Sequence, residues 1–159
     1  MTYDELQEMT GFARATVSKG LKLLKEMQAI EVRKEGRINI YTLPDVAVDG
    51  SYCQLPQQYI LDGSRNVLQK FSGLQLHTRH GLNAIKLYVL FLALRQRRFN
   101  TTAVSYDGIM KHTGIRREDI PKAFSMLVAL ELARTAEDKD ERDHDKSRRY
   151  KVLGLNAIR

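Results

Sequence analysis

Residues 2–43 read TYDELQEMTGFARATVSKGLKLLKEMQAIEVRKEGRINIYTL, and their pattern predicts the order of the first structural elements. Thr2 and Glu5 match a capping box, in which each side chain accepts a hydrogen bond from the other residue's backbone N–H. This box predicts a short helix over 3–9. Gly11 follows, and glycine adopts the left-handed backbone that a tight turn after a helix requires. The sequence therefore predicts a short helix that ends in a sharp turn.

A second helix is predicted over 14–28 from an apolar stripe at helical spacing, formed by Val17, Leu21, Leu24 and Met27. Two strands are predicted after it. Ile30 and Val32 alternate with polar residues in the first strand, and Ile38 and Ile40 do so in the second. A glycine between the two runs favours a β-hairpin turn. The predicted order is helix, turn, helix, hairpin.

The same unit recurs 103 positions later without a gap. Residues 2–30 align on 105–133 with seven identities in 29 positions, which include a Tyr-Asp pair, the Thr-Gly turn, an arginine, a lysine and a leucine. The apolar positions match as well. The second repeat is therefore predicted to contain helices over 106–112 and 117–132, with Ser105 as the N-cap residue. This pattern indicates two copies of one supersecondary unit.

Three segments follow from this division of the chain. Residues 1–43 form the first domain. Residues 44–81 hold glycines and two of the prolines and predict a connector with one short helix, at about 64–72. Residues 82–159 form the second domain, which begins with a helix over 82–98. That helix is apolar nearly all round and is therefore predicted to be central and buried.

The tract 137–149 carries six acidic and five basic residues in thirteen. It predicts a solvated loop that joins a strand near 133–136 to one near 149–154. A second interpretation is a flexible loop that touches nucleic acid through its basic residues Lys146, Arg148 and Arg149.

Composition favours a polyanionic partner. The chain has 159 residues, and its Lys and Arg residues exceed Asp and Glu by 26 to 19, which gives a net charge of +7. Such a balance favours nucleic acid before a membrane. The most apolar run, 87–94, is too short to cross a bilayer. Cys53 is the single cysteine, which excludes an intramolecular disulfide and suits a reducing cytoplasm. We expect a cytoplasmic, nucleoid-associated protein.

The order of helix, Thr-Gly turn, helix and hairpin with a basic tip resembles the winged helix-turn-helix of many bacterial regulators. Two such units in one chain resemble tandem winged-helix proteins, which include plasmid and phage replication initiators. The resemblance covers most of 2–43 and, more loosely, 82–155. It implies a mainly α fold with small β-hairpins (α+β), a tandem winged helix-turn-helix.

One feature departs from this family, whose fold begins with a helix before the one predicted here at 3–9. The first domain lacks that helix and would expose an apolar face. We therefore expect either that the sequence is truncated before this helix, or that a second chain in a homodimer or a segment from 59–73 covers this face.

The resemblance also implies which residues meet DNA, since the second helix of the motif enters the major groove. The candidates lie on the second helix, on the hairpin tip and on the second repeat: Arg14, Thr16, Ser18, Lys19, Lys22, Arg33, Lys34, Arg37, Arg116, Arg117 and Lys122. Arg14 and Lys19 suit guanine acceptors, and Thr16 suits a thymine methyl group or a phosphate. The remaining candidates of the first repeat suit the DNA backbone, and the hairpin also suits the minor groove.

The second repeat is less suited to DNA. Glu118 and Asp119 open its second helix, and two carboxylates there are expected to face phosphates and repel them. The alternative for both repeats is that these residues are ordinary solvated side chains, and that the second repeat packs or dimerises.

Enzymatic motifs are not found. The sequence contains neither a glycine-rich phosphate loop nor a nucleophile elbow. His77 and His80 have the spacing of a metal pair but no further ligand nearby, so we expect no metal and no cofactor. The function predicted is sequence-specific binding of double-stranded DNA as a transcription regulator. The alternatives are a replication initiator that binds origin repeats and a winged-helix module that binds another protein.

Overall fold

The computed structural model describes residues 1–36, 38–44, 53, 55–61, 63, 68–136 and 148–156. Over these residues the chain forms seven α-helices and two small antiparallel sheets, so the fold is mixed α and β, as predicted. The chain divides into two compact units. Unit 1 comprises 1–52 and 61–68, and unit 2 comprises 53–60 and 69–159.

Unit 1 contains α1 (Tyr3–Thr10), α2 (Arg14–Glu26), β1 (Glu31–Glu35) and β2 (Ile38–Thr42). The predicted capping box is confirmed. The Glu5 backbone N–H donates to Thr2 Oγ1 at 3.2 Å, and the Thr2 backbone N–H donates to the Glu5 carboxylate at 2.7 Å. Helix α1 then ends at Gly11, whose φ of +70° is left-handed.

The hairpin of unit 1 has a register that the sequence pattern did not indicate. Glu35 lies opposite Ile38. Directly opposed residues share a face of the sheet. Val32 therefore shares one face with Tyr41, whereas Ile40 lies with Arg33 on the other face. The apolar residues of the two strands thus lie on opposite faces, although each strand alternates as predicted.

Unit 2 is larger, and its elements are α3 (Gln57–Ile60), α4 (Gln69–Ser72), α5 (Arg79–Ala93), β3 (Thr101–Val104), α6 (Tyr106–Thr113), a short 3₁₀ turn (Arg117–Asp119), α7 (Ile120–Ala129), β4 (Ala133–Thr135) and β5 (Arg148–Val152). The three strands form an antiparallel sheet in the order β3-β5-β4. Helix α5 packs against α6, α7 and β5 and is the centre of the unit.

Aromatic rings fill the centre of unit 2. Phe91 of α5 stacks on Tyr150 of β5 with ring centroids 4.4 Å apart, and Phe124 of α7 meets Tyr150 edge-on at 5.0 Å. Burial raises the pKa of Tyr150 to about 12. The phenol therefore stays neutral at physiological pH and packs as an apolar ring with one polar end.

Several predicted boundaries are wrong. Helix α5 ends at Ala93, not at 98, and it exposes Leu82 and Val89, so it is amphipathic and not buried on every side. Helix α2 ends at Glu26, and Gln28 has a positive φ of 58°. Strand β3, which is four residues long and pairs with β5, was not predicted.

The second helix of unit 2 is shorter than predicted, because its first turn is a 3₁₀ turn. Pro121 lies in the first turn of α7, where the missing N–H costs no helical hydrogen bond. Of the predicted loop at 137–149, residues 137–147 lie outside the described residues, and Arg148 and Arg149 belong to β5. Of the helix predicted at 64–72, residues 64–67 lie outside them, and α4 covers the end.

Candidate nucleic-acid interface

A cluster of tyrosine, aspartate and arginine occurs once in each unit, at the positions that the repeat aligns. In unit 1 the Arg14 guanidinium lies 2.6 Å from the Asp4 carboxylate and 5.1 Å from the centroid of the Tyr3 ring. The aligned residues of unit 2 make the same two contacts, at 2.7 and 5.7 Å: Arg117, Asp107 and Tyr106. The cluster joins the first helix of each unit to the start of its second helix.

The Thr-Gly turn is also the same in both units. Thr10 Oγ1 donates to the Leu6 carbonyl at 2.6 Å and accepts from the Phe12 backbone N–H at 3.3 Å. In unit 2 the corresponding distances are 2.6 and 3.2 Å, around Thr113, Ile109 and Ile115. The two glycines have φ of +70° and +68°. Five of the seven identities therefore make equivalent contacts or turns, which supports the internal repeat.

The predicted contact residues of α2 are all exposed. Ser18, Lys19 and Lys22 lie at spacing i, i+1 and i+4 on the side of the helix that points away from buried Val17. Lys22 is 3.8 Å from Glu26. Within the part of the chain that the structure describes, Lys19 has no ion-pair partner. Thr16 and the paired Arg14 flank this surface, so the structure places all five candidates on one accessible helix.

The hairpin does not bring its basic residues together. Arg33 and Lys34 are consecutive in β1, so their side chains point to opposite faces of the strand pair. Arg33 pairs with the Glu35 carboxylate, whereas Lys34 is exposed and has no ion-pair partner among the described residues. Arg37 lies outside the described residues. Arg33 and Lys34 thus lie near the hairpin turn as predicted, and of these two only Lys34 lacks an ion-pair partner among the described residues.

In unit 2 acidic side chains hold the predicted arginines. Arg116 lies 3.1 Å from Asp119 and 3.1 Å from Glu118. Asp119 is only 7% exposed and also pairs with Arg79 at 3.0 Å. The expectation that both carboxylates face outward is wrong for Asp119, since it is turned into the unit. Lys122 is exposed and has no ion-pair partner within the described part of the chain.

Asp119 is ionised because its partners outweigh its burial. Burial raises the pKa of this carboxyl group, but the hydrogen bond from Arg116 and the charges of Arg116, Arg79 and His80 lower it by more. The net pKa lies below the ordinary value of 3.8. The ion pair links the start of α5 to the start of α7, so the charge of Asp119 stabilises the fold.

We expect Asp119→Asn to lower the thermal midpoint of unit 2 at neutral pH. Because the folded pKa is depressed, the ionised carboxylate stabilises the fold above pH about 4, and this contribution disappears as pH falls through the folded value. The variant should therefore lose stability at pH 7 and approach the parent protein at low pH, as measured by circular dichroism melts. Asp107→Asn is the matched control, because its ion pair with Arg117 is exposed and contributes little. Equal destabilisation by both changes at pH 7 would contradict this account.

Arg148, which the sequence suggested only in the second interpretation of the tract 137–149, lies in β5 of unit 2. Its guanidinium donates to the Tyr106 hydroxyl at 3.1 Å and lies 4.9 Å from the centroid of that ring. Arg117 lies over the same ring, so the two arginines meet around Tyr106 beside the start of α7. The only sequence signal was the position of Arg148 at the end of the charged tract. Its proximity to Arg117 depends on the pairing of β5 with β3.

Neither a metal cluster nor a membrane span is found in the described residues. No group of three histidine, cysteine, aspartate or glutamate side chains is arranged there to hold a metal ion. No described helix combines the length and the apolar character that crossing a membrane needs.

Comparison of the chain with known protein families, with curated proteins and with solved structures finds no match. The interface is therefore argued from its own residues alone.

Proposed function

We propose that this chain is a sequence-specific double-stranded DNA-binding protein built from two winged helix-turn-helix units. The order α1, turn, α2 and hairpin supports this proposal for unit 1. In unit 2 the order helix, strand, helix, helix and two strands supports it, as does a sheet in which β5 pairs with both β3 and β4. The shared Thr-Gly turn fixes the angle between the two helices of each motif.

The observation that carries the proposal is the exposed side of α2. It presents Ser18, Lys19 and Lys22 in the first three turns, where a recognition helix meets base edges and phosphates. Lys19 is free to donate to guanine O6 or N7. The carboxylate of Asp4 orients Arg14 at the start of the same helix. Because Lys19 projects from a solvent-exposed side of α2 and has no ion-pair partner among the described residues, this side of the helix is suited to the major groove.

Unit 2 has a different part in this proposal. Its arginines are paired with carboxylates within the unit, so they are less free to exchange those partners for base edges. Arg117, Arg148 and Lys122 still give a local basic surface that suits phosphates, which add affinity without reading sequence. Unit 1 therefore reads the bases, and unit 2 contributes contacts to the DNA backbone.

The biological role that we propose is a transcription regulator in the cytoplasm, associated with the nucleoid and without enzymatic activity. A regulator needs a binding surface and a specific site, and the described residues offer that surface without a metal cluster. Binding to several direct repeats within an origin would instead assign the chain to replication initiators. DNA affinity that does not change with salt concentration would instead indicate that the two units bind another protein.

Binding to duplex DNA is expected to weaken steeply with salt. Each phosphate that a lysine or arginine neutralises releases counterions, so the slope of log K against log salt should be about −4 or steeper. Lys34→Ala should weaken binding to every sequence alike and make the slope shallower by about 1, because it removes one phosphate contact. Fluorescence anisotropy with a labelled duplex measures both. Glu31→Ala on the same strand is the control and should not make the slope shallower. An absence of salt dependence would refute the proposal.

A further inference from the structure

An apolar patch on α2 is uncovered in unit 1. It consists of Gly20, Leu23, Leu24 and Met27, which the helical spacing places on one side. Leu24 is 41% exposed and Met27 is 67% exposed. We call these four residues the α2 patch. Three large apolar side chains that share one side of a helix and face solvent mark an interaction surface.

The second repeat shows that such a patch is built to receive a helix. Its aligned residues in unit 2 are Ala123, Met126, Leu127 and Leu130, and both Ala123 and Leu127 are completely buried. Helix α5 packs against α7, and Phe91 meets Phe124 at 6.3 Å on this helix pair. Met126 and Leu130 are only partly buried. Gly20 and Leu24, which align with buried Ala123 and Leu127, thus face solvent in unit 1. In unit 1 the α2 patch therefore lacks a helix like the one that packs against its counterpart in unit 2.

We infer that the α2 patch of one molecule packs against the α2 patch of a second copy, as an antiparallel helix pair. The inner side of α5 in a second copy cannot serve, because α7 of the same unit already covers it. The α2 patch itself is a free apolar helix side, and a two-fold axis near Leu23 and Leu24 buries both patches at once. Gly20 lets the two backbones approach, because nothing lies within 4 Å of its Cβ position.

The charges beside the patch suit this arrangement. Lys19 and Glu26 lie on the same edge of α2 next to the patch. In an antiparallel pair with a two-fold axis, the same edge of α2 from each molecule lies side by side. A residue that precedes the axis in one helix then approaches a residue that follows the axis in the other. Lys19 of each molecule therefore lies close to Glu26 of the other. Two attractive pairs result, and they fix the register of the helices more than they add affinity.

The pairing leaves Ser18 and Lys22 of the DNA-binding surface free, whereas Lys19 lies at the edge of the helix pair. Lys22 and Ser18 project from the side of α2 opposite the patch. Packed helices lie about 8–10 Å apart, whereas half-sites read by a two-fold dimer lie about 34 Å apart, so one dimer presents a single α2 to a major groove at a time. The assembly itself requires no DNA, so it can be tested apart from the proposed function.

Sedimentation equilibrium of the full chain without DNA tests the pairing. The parent protein should have twice the chain mass of 18.3 kDa and should dissociate on dilution. Leu24→Glu should weaken the dimer at least about 100-fold, because two carboxylates would then be buried against apolar side chains. Val128→Glu is the control, since Val128 is a half-exposed apolar residue of α7, and it should leave the dimer intact. Glu26→Lys should weaken the dimer severalfold by placing lysines opposite each other.

Cross-linking gives a second measurement that does not depend on removing a core residue. In a Cys53→Ser background, Leu24→Cys should be joined by a short bismaleimide into a covalent dimer, and Val128→Cys should not. A parent protein with the mass of one chain at every concentration would overturn the inference. A dimer whose dissociation constant Leu24→Glu leaves unchanged would also overturn it. A dimer that cross-links through Val128→Cys would also overturn it. In each case DNA binding by the monomer would remain to be measured on its own.

Discussion

Lys19→Ala is expected to lower the preference for a specific site over random DNA by about tenfold, while affinity for random duplexes falls much less. One good contact from a lysine to guanine contributes about 1–3 kcal/mol of discrimination, and a phosphate contact contributes none. Lys122→Ala is the matched control, because this lysine has the same position in the second repeat and is also exposed and unpaired among the described residues. Competition of labelled site DNA against random duplexes measures the ratio for both variants.

A loss of discrimination with Lys122→Ala and none with Lys19→Ala would assign base reading to unit 2 and contradict the account. Sedimentation of both variants separates a lost base contact from a changed assembly. An exposed ion pair contributes at most about 1 kcal/mol, so the dimer should survive the loss of Lys19.

Leu127→Ala is expected to destabilise unit 2 by about 2–5 kcal/mol, because a completely buried leucine leaves a cavity beside the packed helices α5 and α7. Val128→Ala is the control on the next residue of the same helix. Val128 is 45% exposed, so this change should cost less than about 1 kcal/mol. Urea denaturation followed by circular dichroism gives both values.

If both substitutions lowered the free energy of unfolding by similar amounts, packing of the buried side of α7 against α5 would not be what stabilises this helix. The α2 patch would then lose its buried counterpart, because Leu24 aligns with Leu127 in the second repeat.

The local elements were predictable from the sequence because short-range chemistry determines them. Thr2 and Glu5 are three residues apart and cap the same helix turn, and Gly11 follows directly, so their pattern alone predicts where α1 begins and ends. The repeat was predictable for a related reason. The residues that it conserves, such as Asp4 and Arg14, are those that contact each other in both units.

Long-range features were not predictable in the same way. Strand β3 is four residues long and is stabilised by pairing with β5, which lies more than forty residues further along the chain. The burial of Asp119 depends on Arg79, which is forty positions away. The position of Arg148 beside Tyr106 likewise depends on the sheet. A pattern of residue types does not specify contacts between residues this far apart in the sequence. Only the structure therefore shows that Arg117 and Arg148 meet around Tyr106.

Selection of bound duplexes from a random-sequence pool tests sequence-specific DNA binding most directly. The protein is incubated with the pool at physiological salt, bound duplexes are recovered and amplified, and the enriched sequences are read after several rounds. A sequence-specific protein with a reading helix on α2 should enrich one short motif. Lys19→Ala should lose part of that motif. Recovery of duplexes without any shared motif, at every salt concentration tested, would contradict sequence-specific DNA binding.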